Sequence, residues 1–160
     1  LNESEELWRS LVETAPDTIM TVDQAGVIRF INHALSSMPP EAVVGRRLYD
    51  LLPADSRDGA EEIVRSVFHT GQTDTFQLCM GEQRNPTWHT FRVGPLRLEA
   101  RVIAATIIST NITEFKHAEE LIRYKELFDN VGDGVFILSR TGKFIESNGR
   151  IEERTGFAKN

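Results

Sequence analysis

Four histidines and one cysteine are the residues of this chain with the widest chemical repertoire: metal ligation, proton transfer, nucleophilic or redox attack. His33, His69, His89 and His117 are widely separated, and none forms the short-range ligand pair that zinc sites use. Each reads as a solvated or singly hydrogen-bonded histidine. Cys79 is the single cysteine, so it has no partner for an internal disulfide or a CxxC site. It is expected to be a small, half-buried strand residue. No GxSxG, GxGxxG, P-loop or HExxH motif occurs, which leaves hydrolysis and group transfer without a nucleophile, a phosphate cradle or a ligand set. The chain is therefore read as non-catalytic.

Charge and hydropathy narrow the remaining options. The formal net charge is -6 and the one adjacent basic pair is Arg46-Arg47, which does not make the basic surface that nucleic-acid binding requires. The longest apolar run, 102–108, falls far short of the roughly 20 residues that span a bilayer. No signal peptide opens the chain. A soluble, cytoplasmic segment without membrane contact is expected, with an anchor elsewhere in a longer parent left open. The chemistry that remains is non-covalent binding in a core, and its position depends on the elements.

An internal repeat organises those elements. LVETAPDTIMTVDQAGVIRFIN, residues 11–32, lies over LFDNVGDGVFILSRTGKFIESN, residues 127–148, with every pair 116 apart (148 minus 32). Each copy has an amphipathic helical turn, a short β-rich run, a tight turn ending in glycine, a second short run and then Asn32 or Asn148. That is a hairpin entered from a helix. Gly26 and Gly142 are expected in a left-handed turn conformation, and the two asparagines at the N-cap of a following helix. In the first copy Leu7, Trp8, Leu11 and Val12 share a helical face. The second copy ends soon after its hairpin and is expected to be the incomplete opening of a second domain.

Between the copies, 33–38, 40–44 and 48–52 read as short helical pieces. Ala60, Ile63, Val64, Val67 and Phe68 mark one stripe of a longer helix that ends at Gly71. Strands are expected over 75–80, 88–93 and 102–110, with Asn85-Pro86 and Gly94-Pro95 as punctuation. This order predicts an α+β domain: a five-stranded antiparallel sheet with short helices on one face, flanked by N-terminal and C-terminal linker helices. The space between sheet and helices is a natural small-molecule cavity. Its candidate lining is Phe30, Met38, Leu48, Ile63, Val67, Phe76, Leu78, Phe91, Ile107 and Ser109, each of which also suits an ordinary core.

APDTIMTVDQAGVIRFIN, PPEAVVGRRLYDLLP, WHTFRVGPL and the closing NITE, in this order and spacing, resemble the PAS family of sensory modules. The resemblance covers nearly all of 5–123, and the second copy resembles the start of another PAS domain. It implies a sensor or relay module of a bacterial signalling protein, a histidine kinase first and a cyclic-dinucleotide enzyme second, with a homodimer, a small ligand and a downstream output domain as partners. Family members that bind heme ligate it from the helix before the third strand, but His69 stands where that helix ends, against Thr70-Gly71. Photoreceptors of the family carry a reactive cysteine in a helical motif absent here, so the cofactor stays unassigned. The Trp88 and Phe91 pair reads as sheet-face packing, and His117 lacks the surroundings of a phospho-acceptor. Family members commonly close their last strand with Asp-Ile-Thr, where this chain has Asn111-Ile112-Thr113 and so keeps the hydrogen-bonding geometry without the charge.

The stretch from Asn111 also explains how a strand becomes a helix with no glycine or proline between them. Asn111 with Glu114 three residues later reads as a capping box, with Thr113 as the alternative cap. Asn111, Thr113 and Glu114 are accordingly the candidate relay residues. The expected division is an N-terminal helix at 1–13, a sensory domain at 14–113, a linker helix at 114–130 and a partial second domain at 131–160.

Overall fold

A computed structural model describes residues 2–35, 38–82 and 84–156. The chain divides into two compact units, Leu1–Thr113 and Glu114–Asn160.

The first unit opens with α1 (Glu3–Thr14), whose start is fixed by a capping box between Asn2 and Glu5. Strands β1 (Thr18–Val22), β2 (Ile28–Ile31), β3 (Asp74–Met80), β4 (Thr87–Leu98) and β5 (Arg101–Asn111) form one antiparallel sheet in the order β2-β1-β5-β4-β3. Between β2 and β3 run α2 (Pro40–Val43), two short 3-10 turns and α3 (Arg57–Thr70). Pro40 opens α2 at its first position, where no N–H is missed. Gly71 closes α3 in the left-handed region with φ 67°. The α3 stripe buries Ala60, Val64 and Val67 against Met20, Val22, Phe91, Val93, Ala105 and Ile107 of the sheet. Truncating Phe91 to alanine in such a core costs about 3–5 kcal/mol.

The expected fold class stands, and several local readings change. Leu35 and Met38 form a β-bridge, each donating its N–H to the other's carbonyl at 3.0 and 2.8 Å, where a helical piece was expected. Residues 36 and 37 of that piece lie outside the described residues. Gly94-Pro95 does not end β4. Pairing with β3 stops at Asp74↔Val93 while pairing with β5 continues through Pro95↔Ala105, so Pro95 sits on a free edge where its absent N–H removes no ladder bond. The turn lies instead at Glu99 and Ala100, both with positive φ (46° and 66°), the backbone that a two-residue hairpin loop demands. Cys79 is exposed, not half-buried, because its neighbours Leu78 and Met80 take the alternate face of an edge strand.

Asn32 and Asn148 look backward rather than forward. The Asn32 side chain accepts the Ile19 N–H at 2.7 Å and donates to Val12 O at 2.8 Å and Asp17 O at 3.1 Å. Val12 O is one of the carbonyls that α1 leaves without an intrahelical partner. The asparagine therefore caps the preceding helix and ties it to the hairpin. Asn148 repeats the pattern with Val135, Phe128 and Asp133 at 3.0, 2.9 and 2.9 Å.

The second unit contains the helix from Glu114 onward, within α4 (Thr113–Asn130), a two-stranded sheet of β6 (Phe136–Leu138) and β7 (Phe144–Ser147), and α5 (Gly149–Thr155).

Candidate functional site

The pleat of the sheet sorts side chains into rows. Phe76, Phe91, Ser109 and Thr18 are successive register partners, as are Leu78, His89 and Asn111. Because partners share a face, these rows lie on the side that carries the core. Phe76 and Phe91 stack with ring centroids 4.9 Å apart and planes 8° from parallel. Apart from the Tyr49 phenol, Ser109 is the only buried polar side chain among the described residues of this unit. Its hydroxyl lies 3.3 Å from Nδ1 of His89. His89 is half-buried, 6.3 Å centroid to centroid from Phe91, and burial pushes its pKa below 6.5. A neutral imidazole beside a hydroxyl can donate or accept according to tautomer.

Of the candidate cavity residues, Leu48, Val67, Phe91 and Ile107 belong to the buried cluster. Met38, Ile63, Phe76 and Leu78 are partly buried against it, and Ser109 completes the inner row. Phe30 does not join them. It pairs with Thr21, and the residue before it, Arg29, is bulged out of β2, which places Phe30 on the opposite face with its ring 5.5 Å from that of Trp8. There it lines a groove of about 390 Å³ with Trp8, Arg9, Val12 and Glu13. His89 is absent from the sequence-derived set although the alternation His89, Phe91, Val93 carries the signal for it. Trp88 and Phe91, an odd number of residues apart in β4, face opposite sides. His69 is exposed in the last turn of α3. No cluster of three potential metal ligands occurs among the described residues.

The hairpin turn at Gly26 forms one wall support. Gly26 has φ 78°, and a Cβ there would run into the Tyr49 ring. Tyr49 lies beneath the Arg47 guanidinium at 5.4 Å, and burial pushes its phenol up to about 12. Leu48 N–H donates to Gly26 O at 2.9 Å, which stitches the turn to the segment carrying Leu48.

At the end of β5, Asn111 Oδ1 accepts from both Thr113 N–H (3.0 Å) and the Thr113 hydroxyl (2.6 Å). The same hydroxyl accepts the Trp88 N–H at 2.9 Å, and Ile112 N–H donates to Trp88 O at 2.8 Å. Asn111 thus bonds two residues on, not three, while the Thr113 hydroxyl holds the first residue of α4 to β4. Glu114 stands in the first turn of α4, where a negative charge suits the helix N-terminus. None of the described helices is long and apolar enough to cross a membrane.

Residues 12–117 match the family described as PAS fold, and residues 122–160 match the family described as PAS domain. No curated protein sequence matches the chain. Among solved structures, the PAS domain of a protein from Colwellia psychrerythraea is 18% identical, covering 70% of this chain and 99% of that one with a TM-score of 0.58. A sensory box sensor histidine kinase from Vibrio cholerae is 14% identical, with coverage of 69% and 94% and a TM-score of 0.50. The PAS domain of the Cronobacter turicensis quorum-sensing receptor RpfR, in complex with C12:0, is 17% identical, with coverage of 62% and 96% and a TM-score of 0.52. At these identities the likeness concerns the fold. With 12–117 inside the family match and the β2-β1-β5-β4-β3 sheet built around the inner-face rows, the chain belongs to the PAS family.

Proposed function

We propose that this chain is the cytoplasmic sensory and relay part of a multidomain bacterial signalling protein, with a sensor histidine kinase as the parent. On this reading 14–113 is the sensory domain, 114–130 the linker helix and 131–160 the start of a second PAS domain. A small ligand between sheet and α3 biases two arrangements of the sheet, and α4 carries the difference onward to an output domain. The observation that carries the reading is the fastening of Thr113 to Trp88 and Asn111: the helix starts from the strands that bear the inner-face rows. A solved sensor histidine kinase and a receptor PAS domain in complex with C12:0 share the fold, which supports the choice of class.

The test is to insert a glycine pair after Glu119 in the longer protein. A helix interrupted this way absorbs rotation or translation instead of transmitting it, so output is expected to become independent of the stimulus. Undiminished regulation overturns the relay.

A second reading, a ligand-free dimerisation module, is favoured by α1. Leu7 and Leu11, one turn apart, are each 62% exposed, an apolar stripe without a cover in the first unit.

A further inference from the structure

A polar side chain in an apolar core is more informative than any of its apolar neighbours. Ser109 is 6% exposed, on the inner face of a central strand, in register with Phe91 and Thr18. It is not needed to terminate an element or cap a helix. Its partner is His89 at 3.3 Å, one row further along the same face. Beside the pair lie the stacked Phe76 and Phe91 rings, and Phe76 and Leu78 on β3 are only partly covered. No Asp, Glu, Lys or Arg is buried among the described residues, so nothing inside offers a countercharge to an ionic ligand.

We propose that this site takes a small uncharged ligand with a flat apolar body and one hydrogen-bonding group, and that His89 and Ser109 read that group. The proposal rests on the reading of the chain as a ligand-binding sensor. The partly covered Phe76, backed by the buried Phe91, receives the flat body, since rings gain from offset stacking and apolar burial together. The imidazole and hydroxyl exchange donor and acceptor roles by tautomer, which serves a hydroxyl, amide or ring nitrogen alike. Burial holds the imidazole neutral near pH 7, so an anion finds no cation in the site. An ionised ligand loses its hydration there without compensation.

Three probes of one shape test this: benzyl alcohol, benzoate and benzylammonium, each titrated into the 160-residue chain and followed by backbone amide NMR. Benzyl alcohol is expected to shift the Phe76, His89, Phe91 and Ser109 resonances, with a dissociation constant at least about tenfold below those of the two ions. His89→Leu and Ser109→Ala should each weaken benzyl alcohol by about three- to tenfold, the scale of one lost hydrogen bond. His89→Gln, which keeps a donor and an acceptor, should stay within about threefold of the parent. Ser109→Ala, the milder change, decides the matter if His89→Leu does not fold. Equal affinities for the three probes, or binding indifferent to both replacements, overturns the selectivity and leaves the sensor reading standing. Inner-face resonances that no probe moves would remove the ligand-binding reading itself and this proposal with it.

Discussion

Gly26 and Gly142 occupy the same place in their hairpins and share a φ of 78°, yet their surroundings differ. A side chain at Gly26 would strike the Tyr49 ring, whereas nothing lies within 4 Å of the corresponding point at Gly142. Gly142→Ala should therefore cost only the left-handed backbone, about 1–2 kcal/mol. Gly26→Ala adds overpacking of about 1–3 kcal/mol, and amide exchange in each hairpin measures both. His89 gives a second test at this scale. Its folded pKa lies below 6.5 because burial disfavours the charged ring. The unfolded chain therefore binds the proton more readily as pH falls through 6.5, and folding stability drops from there down to the folded pKa. His89→Gln should flatten this part of the melting-temperature profile between pH 7.5 and 5; a variant profile as steep as the parent's would place the sensitivity elsewhere. Asp23 shows the opposite balance. Burial alone would raise its pKa, but N–H groups of Val27 and Ala25 and the Arg29 guanidinium outweigh it and hold the carboxyl below 3.8.

Among the elements, α1 separates periodicity from burial. Leu7, Trp8, Leu11 and Val12 share one face by spacing, but Val12 alone is buried, and the Trp8 ring packs against Phe30. If the exposed stripe pairs two copies, Leu7→Asp with Leu11→Asp should convert a dimer to a monomer in sedimentation equilibrium. A parent chain that sediments as a monomer leaves the dimerisation reading without support. The asparagine after each hairpin illustrates the same limit on sequence reading. Its position between a strand and a following segment suggested a forward cap, while its amide reaches back to the end of the previous helix across 20 residues of chain. Side-chain hydrogen bonds over such separations leave no local periodicity. The repeat betrays them only because both copies make the same bonds.

For the whole molecule, the two hairpins share one pattern and have different fates. Met20, Val22 and Ile28 are fully buried, while their counterparts Phe136, Leu138 and Phe144 are 54%, 48% and 51% exposed. The first hairpin is roofed by α3 and extended by β5, β4 and β3; the second is a two-stranded sheet, marginal by itself in water. Amide exchange across β6 and β7 should be orders of magnitude faster than in the β4 and β5 ladder, and equal protection would mean that the second unit has a cover of its own. The α+β class, the succession of the five strands, the helix stop at Gly71 and the repeat were legible in the sequence because each rests on local periodicity or on glycine and proline backbone limits. Which face Phe30 takes was not, since one bulged residue in the hairpin reverses the alternation. Nor was the strand running through Pro95, which depends on where a distant neighbour stops pairing. The sequence by itself determined the elements and the family they resemble. Only the tertiary structure brought His89 to Ser109, because strand register joins residues 20 apart that no short-range pattern connects.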